Sequence, residues 1–496
     1  MRFDRQSGVF LHHTSLPSPH GVGDLGAGAR TFVDFLERAD QSLWQFCPIG
    51  PTADAQANSP YQSYSAFAGN PLLVDLRELG EYGLLTDAEL DPPDAASPHE
   101  TNYEAVRPYK HERLRSAFER FEAGEGDADP DAFESFRERE AAWLDDYALF
   151  SALREEFDGR LWTEWPEPVR RRDPDALSDR RESLAGEIRY HEFCQWWFDR
   201  QWRALREYAS ERGVRLVGDL PIYVALDSAD VWATPEAFQL TDDRRPAAVA
   251  GVPPNPGDDG QRWGNPLYDW ETLADDGYDW WLARLERLFD LVDMTRLDHF
   301  TGFDRYWAIP ADSDDPADGE WREGPGADFF EAVRDRLGDL PFLAEDLGFL
   351  DQSVVALREE FDFPGMRVPH YADWCEGGNM HQPMTYPDDC VGYTSTHDTN
   401  TIVGYYRNLS ERQRDCLHYN LGTDGSEIHW DIVEAVWNSN AALAVTTVQD
   451  LLGLGGDARF NTPGTAAGNW RWRVTESGLD PEVADRLQQI TDLTLR

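Results

Sequence analysis

VRLVGD, at residues 214–219, has the pattern of a short buried strand that ends on an acid. The same format returns downstream. DWWLARLERLFDLV runs at helical spacing into MTRLDHF, PFLAED stands at 341–346 and VGYTSTHD at 391–398. Each is a brief apolar run with polar residues at its end. Upstream, GVFL (8–11) and the segment from Trp44 to Ile49 read as strands. Between them Ala29 to Ala39 reads as an amphipathic helix, with Phe32, Phe35 and Leu36 on one face. Near 443–448, ALAVTT fits part of a helix or a last strand. Short buried strands alternating with helices make an α/β chain, a parallel sheet with crossover helices. Both a (β/α)8 barrel and an open doubly wound sheet carry their chemistry at strand C-termini. The number of units, and the lack of a GxGxxG after any strand, favour the barrel.

Residues 77–212 break this rhythm. They are rich in Glu, Arg and Ala at helical spacing, as in AAWLDDYALFSALREEF, with a Pro- and Arg-rich break near 164–175. They are expected to form an inserted helical subdomain within a single catalytic domain spanning 1–496. Pro253 to Gly264 reads as a Gly/Pro-rich loop.

Composition narrows the function. The chain has 45 basic and 93 acidic residues, a net charge of −48, and Lys110 is its only lysine. Such a surface repels phosphate backbones and anionic headgroups, which argues against nucleic-acid and membrane partners. The acids are spread through a chain rich in aromatics and core residues, so the pattern is not that of a disordered tail. Self-repulsion of this size is relieved by salt, and the expectation is a halophile's cytosolic protein. The five cysteines include no CxxC pair, so neither a disulfide framework nor a structural zinc site is expected. MRFDRQSGVFLHHTSL lacks the pattern of a signal peptide. No apolar run approaches the length of a membrane span. Nineteen Trp supply many flat apolar faces, on which sugar rings stack.

Four acids close strand-like runs: Asp219, Asp298, Glu345 and Asp398. A lone one would read as a helix cap; four at equivalent positions point to a rim. Arg296 lies two before Asp298, on the same strand face, and an Arg beside a carboxylate favours the anion that a nucleophile must be. His299 and His397 each adjoin an acid and could bind a substrate hydroxyl. Retaining glycoside chemistry needs one ionised and one protonated carboxyl, ~5 Å apart. There is no HExxH, GxSxG or P-loop, and calcium-loop spacing is absent too. No metal and no cofactor is expected.

SPYQSYSAFAGNPLL (59–73), AGVPPNPGDDGQRWGNPLYDW (250–270), RLDHFTGFDRYWAIPA (296–311), FLAEDLG (342–348), FPGMRV (363–368), YTSTHDTNT (393–401) and DLLGLGGDARFNTPGTAAGNWRWR (450–473) resemble the 4-α-glucanotransferases. These are also called amylomaltases or disproportionating enzymes, glycoside hydrolase family seventy-seven of the α-amylase clan. The resemblance implies a (β/α)8 barrel with helical insertions and no separate C-terminal β-domain. It implies Asp298 as nucleophile, Glu345 as general acid/base and Asp398 as transition-state stabiliser. Arg296 and His397 match flanking subsite residues, and Tyr61 an aromatic that stacks at the donor sugar. Asp219, Trp263 and Asn469 match further glucan-binding positions. The implied partners are maltooligosaccharides, amylose, starch or glycogen-type α-glucans, with glucose as acceptor. Thr301, Thr399 and PHYADWCEGGNM after FPGMRV depart from the family pattern, which touches subsite shape rather than reaction class. The alternatives are an α-glucan hydrolase of the same clan and a non-catalytic glucan-binding barrel. The latter would have lost one of the three acids. An acidic scaffold for protein partners explains the charge but none of the motifs.

Overall fold

The computed structural model describes residues 3–255, 259–348, 351–465 and 467–496. Among them, eight parallel strands close on themselves in sequence order: β1 (Gln6–Phe10), β2 (Leu43–Gln45), β3 (Arg215–Pro221), β4 (Met294–Asp298), β5 (Phe342–Ala344), β6 (Gly365–Arg367), β7 (Cys390–Tyr393) and β8 (Leu443–Thr447). β8 pairs with β1 to complete the ring. The α/β barrel expected from the strand rhythm is therefore present, and ALAVTT supplies the last strand. These strands are short apolar runs because both of their faces are covered. Phe10, Leu43, Val217, Met294, Leu343, Met366, Val391 and Tyr393 form a buried cluster with Leu443 and Val445, as a filled barrel interior requires. Outside, helices such as Ala27–Arg38 and Asp279–Leu291 bury their apolar stripes. Gly8 shows how tight the wall is: a Cβ there would stand 2.3 Å from the carbonyl oxygen of Leu43.

Three sequence expectations are corrected. β3 does not end at Asp219; it runs on to Pro221, with Asp219 in register beside Arg296 of β4. Gln261–Pro266, at the end of the predicted loop, is a strand. It belongs to an antiparallel four-stranded sheet with Ala248–Val252, Arg305–Pro310 and Glu320–Glu323. Residues 256–258 of that loop, and Ala466 of the C-terminal motif, lie outside the described residues. Finally, Cys375 and Cys416 form a disulfide, their Cα atoms 5.3 Å apart. They lie 41 positions apart in sequence, so only the folded chain shows that they meet. Cys47, Cys194 and Cys390 are free and buried.

Between 77 and 212 the main helices are Tyr103–Glu122, Pro130–Glu156, Pro174–Ser183 and Ala185–Glu211. The Pro-rich break becomes a helix start rather than a gap. Asp173 caps the third of these through Ala176 N–H, with Pro174 at the first turn. Arg–Glu pairs tie the helices together, including Arg137–Glu192 at 2.6 Å and Arg189–Glu122 at 2.8 Å. Among the described residues no helix is long and apolar enough to cross a membrane.

Candidate active site

The C-terminal ends of β3, β4 and β6 and the loops after β2, β5, β7 and β8 converge on a cavity of about 440 Å³. Asp298, the last residue of β4, Glu345, the first after β5, and Asp398, on the loop after β7, all line it. So do Tyr61, Trp263, Arg296 and Asn469. Asp219 and His397 stand behind this wall, with side-chain exposures of 0% and 5%.

Arg296 organises the acids. Its Nη1 lies 2.8 Å from Asp298 Oδ1 and 2.8 Å from Asp219 Oδ2, and its Nη2 stands 3.9 Å from Glu345. The pairing with Asp219 is a cross-strand contact set by the β3–β4 register. Glu345 is held by two backbone donors, His299 N–H at 2.9 Å and Leu347 N–H at 3.0 Å. To aim its N–H, His299 adopts a left-handed φ of +54°, a conformation that costs a non-glycine residue energy and gathers at functional sites. Burial pushes the Glu345 carboxyl up to about 7; Arg296 and the two N–H groups oppose it, and the charge of Asp298 reinforces it. Glu345 is therefore a carboxyl able to hold a proton near neutrality. Burial also raises Asp219 to about 6, against the pull of Arg296.

Asp398 lies in the opposite environment. Burial alone would raise its pKa, but His397, Asn461 and Arg296 together hold it well below the ordinary carboxylate range. His397 Nε2 is 3.1 Å from Asp398 Oδ2 and 2.8 Å from the Tyr61 hydroxyl. That hydroxyl donates to Asp219 Oδ2 at 2.8 Å, so its oxygen accepts from His397 Nε2–H. The Tyr61 ring also stacks on His397, with centroids 5.3 Å apart. Asp219, Tyr61, His397 and Asp398 thus form one polar chain that links the cavity lining, Tyr61 and Asp398, to the two buried groups behind it.

Trp263 is carried by the unanticipated antiparallel sheet and packs edge-on against His299 at 4.9 Å. Asn469 lines the cavity, but its amide serves its own loop: Oδ1 accepts Thr462 N–H at 3.0 Å and Nδ2 donates to Thr465 O at 3.0 Å. Asn461 was not among the sequence candidates. Its Nδ2 donates to Asp398 Oδ1 at 2.6 Å, and Arg459 donates to the Asp398 carbonyl. Both lie inside the DARFNTPGT motif, which signalled a site without saying which residue reaches the acid. Tyr371 also lines the cavity, from the stretch that departs from the family pattern.

A closed parallel barrel with a proton-holding carboxyl, a second paired to an arginine and a third held below the usual carboxylate range, all around one cavity, falls among the barrel enzymes that work on glycosidic bonds. A family model described as 4-alpha-glucanotransferase, glycoside hydrolase family 77, matches residues 11–479. The chain is 43% identical over 505 residues to a 4-alpha-glucanotransferase of Thermus thermophilus, covering 100% of both chains. It is 44% identical to one of Synechocystis, covering 99% of this chain and 97% of the other. The amylomaltase from Streptococcus agalactiae, solved in complex with acarbose, superposes with a TM-score of 0.95 at 35% identity over 99% of each chain. This chain belongs to the 4-alpha-glucanotransferase family.

Proposed function

We propose that the protein transfers segments of α-1,4-glucans to the 4-hydroxyl of another glucan or of glucose, by double displacement with net retention. Asp298 attacks C1 of a glucose unit while Glu345 gives its proton to the departing glycosidic oxygen. The reducing-end fragment leaves and a glycosyl ester on Asp298 remains. An acceptor glucan then enters, Glu345 takes the proton of its 4-hydroxyl, and the acceptor oxygen displaces Asp298 from C1. Asp398 binds hydroxyls of the distorted ring, an interaction that strengthens toward the transition state. Tyr61, Trp263, Arg296, Asn469 and, from behind the cavity wall, Asp219 and His397 shape the sugar subsites.

The carrying observation is the contrast between two carboxyls in one cavity. Asp298 is paired with a guanidinium at 2.8 Å, whereas Glu345 is buried with its pKa raised to about 7. Nucleophile and acid need those two environments. Full-length similarity to 4-alpha-glucanotransferases supports a sugar acceptor over water. Incubation with maltotriose is the test. The expected outcome is a ladder of longer oligosaccharides plus glucose; a steady rise in reducing ends with no ladder means hydrolysis instead. Asp298→Asn should remove nearly all turnover with the fold intact, and wild-type disproportionation by that variant rules out the assignment.

The net charge of −48 supports a protein working in a salt-rich cytosol, with residues 77–212 as a helical insertion in one catalytic domain. The melting temperature should rise steeply from dilute buffer to molar KCl as screening relieves self-repulsion. A melting temperature indifferent to salt contradicts this.

A further inference from the structure

One buried carboxylate closes the catalytic loop of Asp398 at both ends. The loop leaves β7 at Tyr393 and enters the helix Ile402–Asn408. Asp450 comes from a different unit, the short helix Val448–Leu451 that follows β8, and is only 1% exposed. Its Oδ2 accepts the hydroxyls of Thr394 at 2.7 Å and Ser395 at 2.5 Å, where the loop begins. Its Oδ1 accepts the N–H of Ile402 at 2.8 Å, where the loop ends. Thr446 and Thr447 of β8 brace the same two hydroxyls at 3.0 and 3.2 Å. Asp450 N–H bonds the Thr447 hydroxyl at 3.2 Å, which fixes the clamp on its own strand.

We propose that Asp450 is a positioning residue for Asp398, setting the height of the stabilising acid over the cavity by pinning both ends of its loop. This rests on the reading of Asp398 given above. An ordinary helix-terminal carboxylate serves its own first turn. Asp450 instead takes three donors from the neighbouring βα unit, and they bracket the acid in sequence. Asn461 and Arg459 hold the middle of the loop from the other side, so Asp398 is fixed at three places. Without Asp450 the two hydroxyls and the Ile402 N–H lose their acceptor, and the loop can relax by a fraction of an ångström. A stabiliser whose contact counts only in the transition state is sensitive to that scale.

The experiment compares Asp450→Ala, Asp450→Asn and Asp398→Asn, alone and combined, using an α-maltosyl fluoride donor so that slow variants remain measurable. Rates are referred to folded enzyme, determined by circular dichroism and melting. Asp450→Ala should lower kcat by about 10- to 100-fold, the upper figure being the cost of a full 1 Å misplacement, with a much smaller change in KM. Asp450→Asn, which keeps one acceptor oxygen, should lose less. In the Asp398→Asn background the added Asp450→Ala should cost at most about threefold, because residues acting through one another are not additive. Unchanged kcat in Asp450→Ala, or an equal loss in both backgrounds, overturns the proposal. Wild-type turnover in Asp398→Asn overturns it by a distinguishable route, since the role of Asp398 itself then falls. If Asp450→Ala does not fold, Thr394→Val with Ser395→Ala removes two of the three donors, and an unchanged kcat there also overturns it.

Discussion

Arg296 and Lys110 are both buried cations in a chain of net charge −48, and their surroundings give them different work. Arg296 sets one nitrogen, Nη1, between Asp219 and Asp298 and turns Nη2 toward Glu345, at the edge of a cavity. Lys110, the only lysine, sits on the helix Tyr103–Glu122. It donates to Val74 O at 2.6 Å, with Asp24 at 3.6 Å. Burial lowers its pKa, and Asp24 and Asp75 pull against that. A guanidinium can hold several carboxylates in fixed directions, whereas an ammonium acts as a point charge. The first arrangement sorts acids by role at a reaction site. The second fastens a helix of the 77–212 segment to the chain beside the first barrel unit. A buried cation is informative through the number and access of its acids, not through burial itself.

The strongest test of this contrast is Arg296→Met. Turnover should fall by several orders of magnitude, and Asp219 left unpaired should cost about 3–5 kcal/mol of stability, read by denaturant unfolding. Arg296→Lys keeps the charge but cannot place one nitrogen between Asp219 and Asp298 and another toward Glu345, and should recover only a small part of the rate. Lys110→Met should show the converse. Stability should drop by about 3–5 kcal/mol because Asp24 loses its counter-charge, while kcat per folded molecule stays at the wild-type value. A large kcat loss there would erase the distinction between the two cations. The mildest test is pH. Activity needs Glu345 protonated, so kcat/KM should fall about tenfold per unit above pH ~7. Its folded pKa of about 7 lies above the ordinary glutamate value of 4.5. Its proton therefore stabilises the native state fully below that lower value, and the contribution is lost as pH rises through about 7. A basic limb displaced to pH 9 would mean that Glu345 is not the proton donor.

The barrel was legible because its strands are local apolar runs and its acids sit at or just past their ends. Asp298, Glu345 and Asp398 stand at such ends and meet at one cavity. Trp263 was found from its motif, but not the antiparallel strand that presents it, since GQRWGNP reads as loop. Asp219 was expected at the rim, yet its carboxylate lies under Tyr61 and beside Arg296, because β3 continues past it. Asn461 and Asp450 carry no sequence signal for a shared reason. Each acts on a loop far from it in the chain, and neither has a local pattern that differs from an ordinary turn or helix cap.

Period and composition act over a few residues or over the whole chain. The sequence by itself therefore determined the strand–helix alternation, the acids at the strand ends and the excess of negative charge. Only the tertiary structure decided that Arg296 lies in register with Asp219, that Cys375 meets Cys416, and that Asp450 grips both ends of the Asp398 loop. Those contacts follow from closing eight parallel strands into a ring. Closure brings together groups that no local spacing relates, and burial then sets their charges.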